Sequence, residues 1–351
     1  MIFGASKNAI IFRTYALHPT AKTDFDMFIA NDLTELIGKT PLLRLERLFP
    51  NCSANILAKL EAMNPTSIKD RPALFMIKNA IDAGDIKPGT EVVEATSGNT
   101  GIGIACLSTI LGFKARFYMI DTSSIERQKL LAAYGATVVL TPAAKLTTGA
   151  RELALAYCAN NPDTTFFANQ HGNPNNSAAH FETSGPELWD QTGGEIGAVV
   201  IGMGTSGTIE GISKYLKAKD PSIRIVGVEP AASPVNAGGA PGPHRISGIG
   251  PGFVAENFKR ARHRVDEILL VEDEVAFEWA RKTTSAEGFI IGPTSGATIW
   301  GAGELAKRPE FAGKNIICFF CDTGERYLSM DDLFDPGTVL YEGYENGIDN
   351  Q

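Results

Sequence analysis

The chain has 351 residues, of which 44% are hydrophobic, 21% charged and 9% aromatic, as in an ordinary globular protein. This length fits about two domains, and the composition excludes wholesale disorder and fibrous repeats. The net charge of −8 gives no general attraction for nucleic acid, and no apolar run of about 18 residues predicts a membrane-spanning helix. We therefore expect a protein that binds neither nucleic acid nor membrane.

The two ends of the chain differ from the part between them. Residues 1–30 carry three basic residues and no acid before Asp24, and we predict an N-terminal extension on the surface or against a partner. Residues 336–351 form an acidic tail that we expect to be peripheral.

Between the ends, short β-branched or aromatic runs alternate with longer helical patterns. This alternation predicts an α/β fold with mostly parallel sheets covered on both faces. The predicted strands are 56–60, 92–95, 115–120, 136–140, 198–201, 223–229, 268–271 and 315–321. The predicted helices are 71–83, 100–111, 124–134, 148–159, 208–219, 274–287 and 295–306. Residues 170–177 are predicted as a polar break, and the Gly/Pro-rich residues 231–252 as a functional loop.

The five cysteines are odd in number and lie mostly in apolar runs. They indicate free thiols in a reducing compartment, which predicts a cytoplasmic protein. Cys318 and Cys321 have the spacing of redox and zinc sites, but there is no second such pair. We predict no metal site.

The sharpest local motif is G-M-G-T-S-G-T, which begins at Gly202 after an apolar strand and opens a helix. Small residues let backbone N–H groups converge, and the helix N-terminus adds positive potential, so this segment predicts a phosphate cradle. The same letters fit the dinucleotide pattern G-x-G-x-x-G, and Glu229 ends the next strand where a ribose-binding acid would lie. An NAD-dependent oxidoreductase therefore stays an alternative at this point.

Three further segments carry candidate chemistry. T-S-G-N-T-G at 96–101 packs hydroxyls, an amide and glycines at a helix start, which suits capture of a small anion such as a carboxylate. A polar turn delivers Lys69 just before the helix at 71–83, where burial would lower the pKa of its amine and let it form an imine with an aldehyde. G-P-T-S-G-A at 292–297 begins another helix with a hydroxyl able to bond a ring nitrogen.

In order along the chain, these segments resemble the fold-type II pyridoxal phosphate enzymes of the cysteine synthase and cystathionine β-synthase group, with cysteine synthase as the nearest type. The resemblance runs from residue 33 to residue 330. It rests on L-I-G-K-T-P-L at 36–42, N-P-T-S-I-K-D-R at 64–71, T-S-G-N-T-G at 96–101, H-F-E-T-S-G-P-E-L-W at 180–189, P-H-R-I-S-G-I-G at 243–250 and G-E-R-Y at 324–327.

The resemblance implies pyridoxal 5′-phosphate (PLP) as cofactor. By this likeness Lys69 holds it as an imine, Asn99 bonds its 3′-oxygen, and Thr294 faces its pyridine nitrogen. The implied phosphate loop consists of Gly204, Thr205, Ser206, Gly207 and Thr208. The implied substrate contacts are Thr96, Ser97, Asn99, Thr100, Gln170 and Gly248.

The resemblance also implies an activity and an architecture. The activity is β-replacement on an activated L-serine through an aminoacrylate, with O-acetylserine and sulfide giving L-cysteine as the leading instance, and O-phosphoserine or a non-sulfide nucleophile (cystathionine or diaminopropionate synthesis) as the alternative. The architecture is a homodimer of two doubly wound α/β domains. We place the N-terminal domain, with Lys69, at 63–173, and the C-terminal domain, with the phosphate loop, at 41–62 plus 174–335.

Four departures from the family pattern cluster at the expected mouth of the site, and one of them is Ser67-Ile68, which replaces the G-S-x before the lysine. Ser206 replaces a common glycine, a change that the loop tolerates if φ there is negative. His171 stands where Phe or Tyr usually follows the glutamine, and Ser247 stands where sulfide-using synthases commonly carry Gln. These departures bear on the donor and the nucleophile and leave the cofactor chemistry intact.

Overall fold

The computed structural model describes residues 29–96 and 98–334. The acidic tail at 336–351, nearly all of the extension at 1–30, and Ser97 lie outside the described residues. From Asp32 onward, the described residues form one compact unit.

Ten strands within the described residues form two sheets. They are β1 Leu42–Arg44, β2 Asn55–Lys59, β3 Glu91–Ala95, β4 Lys114–Ile120, β5 Thr137–Thr141, β6 Thr165–Phe167, β7 Ala198–Gly202, β8 Arg224–Pro230, β9 Glu267–Val271 and β10 Asn315–Phe319. The smaller sheet has the order β5-β4-β3-β6 and is parallel throughout. The larger has the order β1-β2-β10-β7-β8-β9, and only the β1–β2 pair is antiparallel.

Ten α-helices of the described residues connect and cover these strands. They are α1 Asp70–Asp82, α2 Asn99–Leu111, α3 Ile125–Ala133, α4 Leu146–Asn160, α5 Pro174–Ala179, α6 Gly185–Thr192, α7 Gly207–Lys219, α8 Glu256–Ala261, α9 Asp273–Glu287 and α10 Pro293–Ala306. A π-helical turn, His180–Ser184, joins α5 to α6. Across the described part of the chain, no helix combines the length and apolarity needed to span a membrane.

Both sheets are buried on both faces. In β7, Val199 and Val200 point to opposite sides and enter two different apolar clusters, and Val92 and Val93 do the same in β3. Continuous apolar runs are typical of parallel strands that helices cover on each side, because neither face meets water. The predicted α/β class with doubly covered sheets is confirmed.

The structure corrects the sequence prediction in the middle of the chain. Residues 170–177 are a turn only as far as Asn173, because α5 begins at Pro174. Proline is favoured in the first helical turn, and the Asn173 side chain accepts the N–H of Asn175 at 3.0 Å as a cap. The three-residue β6 has no matching prediction because so short a run gives no clear period.

The strand order also bears on the domain division. β1 and β2 precede α1 in the chain, yet β2 pairs with β10, with Asn55 opposite Asn315. The first strands thus join the sheet made by the last ones. The exact domain boundaries drawn from the sequence stay a prediction.

Candidate active site

The site residues lie at the carboxyl ends of parallel strands, where loops lead into helices. β3 is followed by residues 96–98 and α2, β6 by Asn169 and Gln170, and β7 by residues 203–206 and α7. In sheets of this kind ligands bind at the carboxyl edge, since loops and helix N-termini converge there.

Lys69 lies directly before α1, at its N-cap. The 66–70 turn is fixed by Asp70, whose Oδ2 accepts the N–H of Thr66 at 2.6 Å and that of Ser67 at 3.2 Å. Ser67 Oγ in turn accepts the N–H of Lys69 at 3.2 Å. The backbone that carries the lysine is therefore held in one conformation.

The amine of Lys69 is in an unusual state for a lysine. The side chain is largely buried, and no described residue forms a hydrogen bond with its Nζ. Burial lowers the pKa of Lys69, although Cys321 and the acids Asp322 and Glu61 act in the opposite direction. A lowered pKa gives a larger share of neutral, nucleophilic amine near pH 7.

Asn99 opens α2 with its amide fixed from two sides. Its Nδ2 donates to Asp322 Oδ2 at 2.6 Å, and its Oδ1 accepts from Arg326 at 2.8 Å. These partners define which end of the amide is the nitrogen, and one Nδ2 hydrogen remains for a ligand. Tyr327 also donates its hydroxyl to Asp322, while Asp322 Oδ1 is buried without a hydrogen-bond partner.

The predicted carboxylate loop contacts Gln170 from the neighbouring strand. Thr100 Oγ1 donates to Gln170 Oε1 at 2.6 Å, and both side chains are buried. Thr96 Oγ1 accepts the N–H of Gly98 at 3.2 Å. The structure thus brings Thr96, Thr100 and Gln170 together.

Gln170 also joins this loop to the predicted phosphate loop. Its backbone carbonyl accepts from Asn176 Nδ2 at 2.7 Å and from Asn257 Nδ2 at 3.1 Å. The same Asn176 nitrogen donates to Thr205 Oγ1 at 3.0 Å, and the Asn257 nitrogen donates to the Thr205 carbonyl at 2.9 Å. Two buried asparagines therefore connect the substrate side of the site to its phosphate side.

The glycines of the loop after β7 leave no room for side chains. A Cβ on Gly204 would lie 2.3 Å from the Gly248 carbonyl oxygen, and one on Gly207 would lie 1.9 Å from Asn176 Oδ1. Between them, Ser206 has φ +62° and lies in the left-handed region. The condition under which the loop would tolerate a serine, a negative φ, is not met at Ser206, because the turn into α7 has the conformation that glycine usually provides.

The loop fits the terminal phosphate of PLP. Ser206 Oγ is buried and has no hydrogen-bond partner among the described residues, so this hydroxyl is available to a ligand. It lies at the N-terminus of α7, a thirteen-residue helix whose dipole favours an anion. A compact anion would satisfy the hydroxyl and the first N–H groups of the helix together.

Thr208 is oriented by a buried histidine. His180 Nε2 lies 3.1 Å from Thr208 Oγ1, and His180 Nδ1 lies 2.9 Å from Ser184 Oγ. Burial and the charges of Arg71 and Lys69 hold the pKa of His180 well below its usual value, so the ring is neutral. One ring nitrogen then donates and the other accepts, which fixes the hydroxyl directions.

Thr294 and Gly248 lie against the same loop. Thr294, in the first turn of α10, donates from Oγ1 to the Ser247 carbonyl at 2.8 Å. Gly248 follows with φ +112°, and its carbonyl approaches Gly204. The structure therefore brings residues 204–208, Gly248 and Thr294 together, as the sequence predicts.

Glu229 does not suit the ribose-binding role of the oxidoreductase alternative. The carboxylate is buried and accepts the N–H of Asn236 at 3.0 Å and of Ala237 at 3.2 Å, and the Asn236 amide at 2.8 Å. Its acceptor sites are used to hold the 236–237 turn. The feature that favoured a dinucleotide is thus structural.

Several residues that shape the site were not singled out as site residues in the sequence. Asp322 and Arg326 fix Asn99, and Glu94 accepts the N–H of Gln170 at 2.9 Å. Asn176 and Asn257 join the loops. Arg326 belongs to G-E-R-Y at 324–327, which indicates the family but not a contact with Asn99. The other positions carry no sequence pattern that indicates a site, because single polar residues in apolar or loop segments are common.

Comparisons with known proteins agree with this geometry. The family described as pyridoxal-phosphate dependent enzyme matches residues 33–322. A cysteine synthase of Staphylococcus aureus is 42% identical over 301 residues, which are 85% of this chain and 96% of that protein. The crystal structure of a cysteine synthase from Entamoeba histolytica has a TM-score of 0.84 and 40% identity, covering 89% of this chain and 94% of that one.

A relative with a different product is also similar. The crystal structure of the O-acetylserine dependent cystathionine β-synthase of Helicobacter pylori has a TM-score of 0.81 and 34% identity, covering 86% of this chain and 98% of that one. The predicted resemblance and the predicted cofactor are both confirmed. This chain belongs to the family of pyridoxal-phosphate dependent enzymes and is an enzyme of the cysteine synthase type.

Proposed function

We propose that the protein catalyses β-replacement on an activated L-serine, with O-acetylserine and sulfide giving L-cysteine as the leading instance. The observation that carries this proposal is a buried lysine amine without a hydrogen-bond partner among residues 29–96 and 98–334, in a site that also has an anion cradle at 204–208. The similar cysteine synthases of Staphylococcus aureus and Entamoeba histolytica support the same reaction.

We infer that each loop would bind one part of the reacting system. Lys69 would hold the cofactor through Nζ, residues 204–208 would bind its phosphate, Asn99 would bond its 3′-oxygen and Thr294 would face its ring nitrogen. When bound, PLP supplies the electron sink that accepts the electron pair of the substrate Cα–H bond. A neutral hydroxyl such as that of Thr294 does not fully protonate the ring, which favours loss of a leaving group from Cβ.

Lys69 has a second role once substrate is bound. The carboxylate of the serine binds the loop of Thr96, Ser97, Asn99 and Thr100 and the side chain of Gln170, which positions Cα. The amine of Lys69, with its lowered pKa, then removes the Cα proton. Closure of the carboxylate loop excludes water during this step.

The donor and the nucleophile define the alternatives within the class. O-phosphoserine in place of O-acetylserine, or a nucleophile other than sulfide, uses the same residues. The similarity to the cystathionine β-synthase of Helicobacter pylori, over 86% of this chain, favours a larger nucleophile as the second candidate.

We also propose that the protein is a homodimer and that it is located in the cytoplasm.

The cofactor proposal is tested by absorbance and reduction. We expect purified enzyme to absorb in the visible, to become fixed to PLP at Lys69 on borohydride reduction, and to lose the band in Lys69→Ala. Lys78→Ala, an exposed lysine of the same helix, is the matched control and should keep the band. Colourless enzyme that cannot be reconstituted with PLP, or a Lys69→Ala variant that keeps the covalent link, contradicts the assignment.

The donor is identified by a second spectral test. O-acetylserine and O-phosphoserine are added separately to the loaded enzyme without nucleophile. The true donor is expected to shift the cofactor spectrum and release acetate or phosphate. Release from neither compound would contradict β-replacement on these donors.

A further inference from the structure

The turn after β6 presents two side chains at the edge of the site. Asn169 has φ +54°, a left-handed conformation that is rare outside glycine, and its carbonyl accepts the N–H of Gly172 at 2.9 Å and of Asn173 at 2.8 Å. The turn holds Gln170 against Thr100 and places His171 next in the chain. Strained backbone of this kind is concentrated at functional sites.

His171 is half-buried, with its ring packed edge-on against Phe253. The ring centroids are 5.0 Å apart at 61°. The His171 carbonyl accepts the N–H of Asn257 at 3.3 Å, and Asn257 also bonds Gln170 and Thr205. The imidazole is therefore held at a fixed place beside the residues that join the two loops.

The imidazole nitrogens of His171 have no hydrogen-bond partner among the described residues. The other described histidines differ: His180 bonds Ser184 and Thr208, His244 bonds the Gly250 carbonyl, and His263 bonds Arg264. The His171 ring is only partly buried, so water can reach nitrogens that no described residue bonds. An imidazole of this kind at the rim of an active site is available to a ligand that replaces the water.

The charge state of the ring restricts which ligand it suits. Burial, together with the positive charges of Arg151 and Lys69, lowers the pKa of His171 to about 4. At neutral pH the ring thus has one acceptor nitrogen and one N–H donor. In the enzyme with PLP bound at Lys69, the positive charge of Arg151 still disfavours an ammonium group and favours a neutral or anionic partner.

We propose that the His171 imidazole orients the incoming nucleophile, a protic sulfur compound (hydrogen sulfide or a small thiol), through a hydrogen bond between its ring nitrogen and the sulfur group. An amine nucleophile is disfavoured because it enters as a cation. This inference rests on the proposed function and makes His171 a determinant of specificity for the second substrate only.

The test uses the enzyme with PLP bound, called the loaded enzyme, and separates two half-reactions. In the first the donor loses its leaving group, and in the second the nucleophile adds. His171→Phe keeps a ring against Phe253 without the nitrogens, and His171→Asn restores a polar group. We expect release of acetate from O-acetylserine to stay within about twofold in both variants. The second-order rate constant for sulfide should fall about tenfold in His171→Phe, the loss of one hydrogen bond, and partly recover in His171→Asn. His263→Phe, an exposed histidine, is the matched control.

A binding measurement adds a readout that does not depend on turnover. The measurement is NMR of the histidine rings. The chain has five histidines, so the His171 ring signals are assigned by their loss in the spectrum of His171→Phe. Adding hydrosulfide to the loaded enzyme should shift these signals and leave those of His180 unchanged.

The outcomes separate the two proposals. If the loaded wild-type enzyme releases no acetate or phosphate, the proposed function fails, and this inference fails with it. If it does react and His171→Phe uses sulfide as well as wild type, or if the ring signals do not move, only the inference about His171 fails. Faster reaction with an amine than with sulfide would also overturn it.

Discussion

Two buried cations two residues apart, Arg71 and Lys69, have opposite surroundings. The Arg71 guanidinium bonds Glu61 at 2.7 and 2.8 Å and Glu187 at 2.6 and 2.7 Å. In the same cluster, Lys59 donates to Glu187 at 2.6 Å, to the Thr40 carbonyl at 2.6 Å and to Gln191 at 3.0 Å. Lys69 has no such partners in the part of the chain that the structure describes.

The pKa shifts of Arg71 and Lys69 follow this difference, whereas burial lowers the pKa of Lys59 even though Lys59 is paired. Burial opposes the charge of Arg71, but Glu61 and Glu187 outweigh it and raise the pKa of Arg71 far above its usual value. Burial instead dominates at Lys69 and lowers its pKa. The comparison shows how a protein separates structural from chemical cations: buried charges that support the fold are paired, and a reactive amine is left unpaired.

Removing the paired cation should have the largest effect on stability. Arg71→Leu leaves the buried carboxylates of Glu61 and Glu187 without their main partner. We expect a loss of about 3 to 5 kcal/mol in the free energy of unfolding, measured by urea denaturation. Arg71→Lys keeps the charge without the paired geometry and should lose less. A loss below about 1 kcal/mol in Arg71→Leu would contradict the structural role of the cluster.

Glu94 is an intermediate case, a buried charge held by backbone N–H groups without an ion pair among the described residues. Burial raises the pKa of Glu94 to about 7, although the N–H groups of Gln170 and Ala95 oppose this. The unfolded carboxyl loses its proton at lower pH than the folded one, so this group destabilises the fold as pH rises from about 4.5 to 7.

The test is Glu94→Gln, which removes the charge and keeps an acceptor. We expect the variant to gain stability over wild type between pH 5 and pH 8, by up to about 3 kcal/mol. Unfolding curves at both pH values measure the difference. An equal gap at pH 5 and pH 8 would show that Glu94 does not titrate in this range.

Replacing the unpaired cation should stabilise the protein without cofactor. In Lys69→Met the cost of burying an amine disappears, and we expect a gain of about 1 kcal/mol at pH 7 in the PLP-free form. The pKa of Lys69 in the folded protein lies below the unfolded value of 10.5. The free energy of unfolding of the wild type therefore rises as the pH increases from the folded pKa to 10.5. The gain should therefore shrink toward pH 10, while a constant or growing gain would contradict the unpaired state.

The smallest predicted effect is that of Ser206→Gly, which should raise the stability of the PLP-free protein and lower its affinity for PLP. Ser206→Gly removes the strain of φ +62°, which should stabilise the PLP-free protein by about 1 kcal/mol. It also removes a buried hydroxyl from the phosphate cradle, so PLP should bind about tenfold more weakly by equilibrium dialysis. Ser206→Ala, which keeps the strain, is the control and should lose affinity without the gain in stability.

Much of this arrangement could be predicted from the sequence. Eight strands and seven helices followed from alternating apolar runs, and the loops at 96–101 and 202–208 followed from glycines and hydroxyls at strand-to-helix turns. These signals are local, because each depends on residues that are adjacent in the chain. The order of the motifs then indicated the family.

What could not be predicted depends on residues far apart in the chain. Asp322 contacts Asn99 across 223 positions, and Asn257 contacts Gln170 across 87. The close approach of Gly204 to the Gly248 carbonyl, next to the left-handed Ser206, is also a tertiary contact. Glu229 misled for a different reason: its position matched a motif, but its carboxylate accepts hydrogen bonds from residues 236 and 237, only seven and eight positions later.

The carbonyl of Gln170, with its two asparagine donors, has a consequence for local unfolding. Asn176 and Asn257 each bond both Gln170, in the turn after β6, and Thr205, in the loop after β7. Neither of these two loops can therefore open without breaking bonds that also hold the other. The two loops should then open and close as a single cooperative unit, with similar amide hydrogen exchange on both sides. A ligand bound at either loop should slow amide hydrogen exchange at both loops. Binding of PLP should therefore also stabilise the loop that binds the amino-acid substrate.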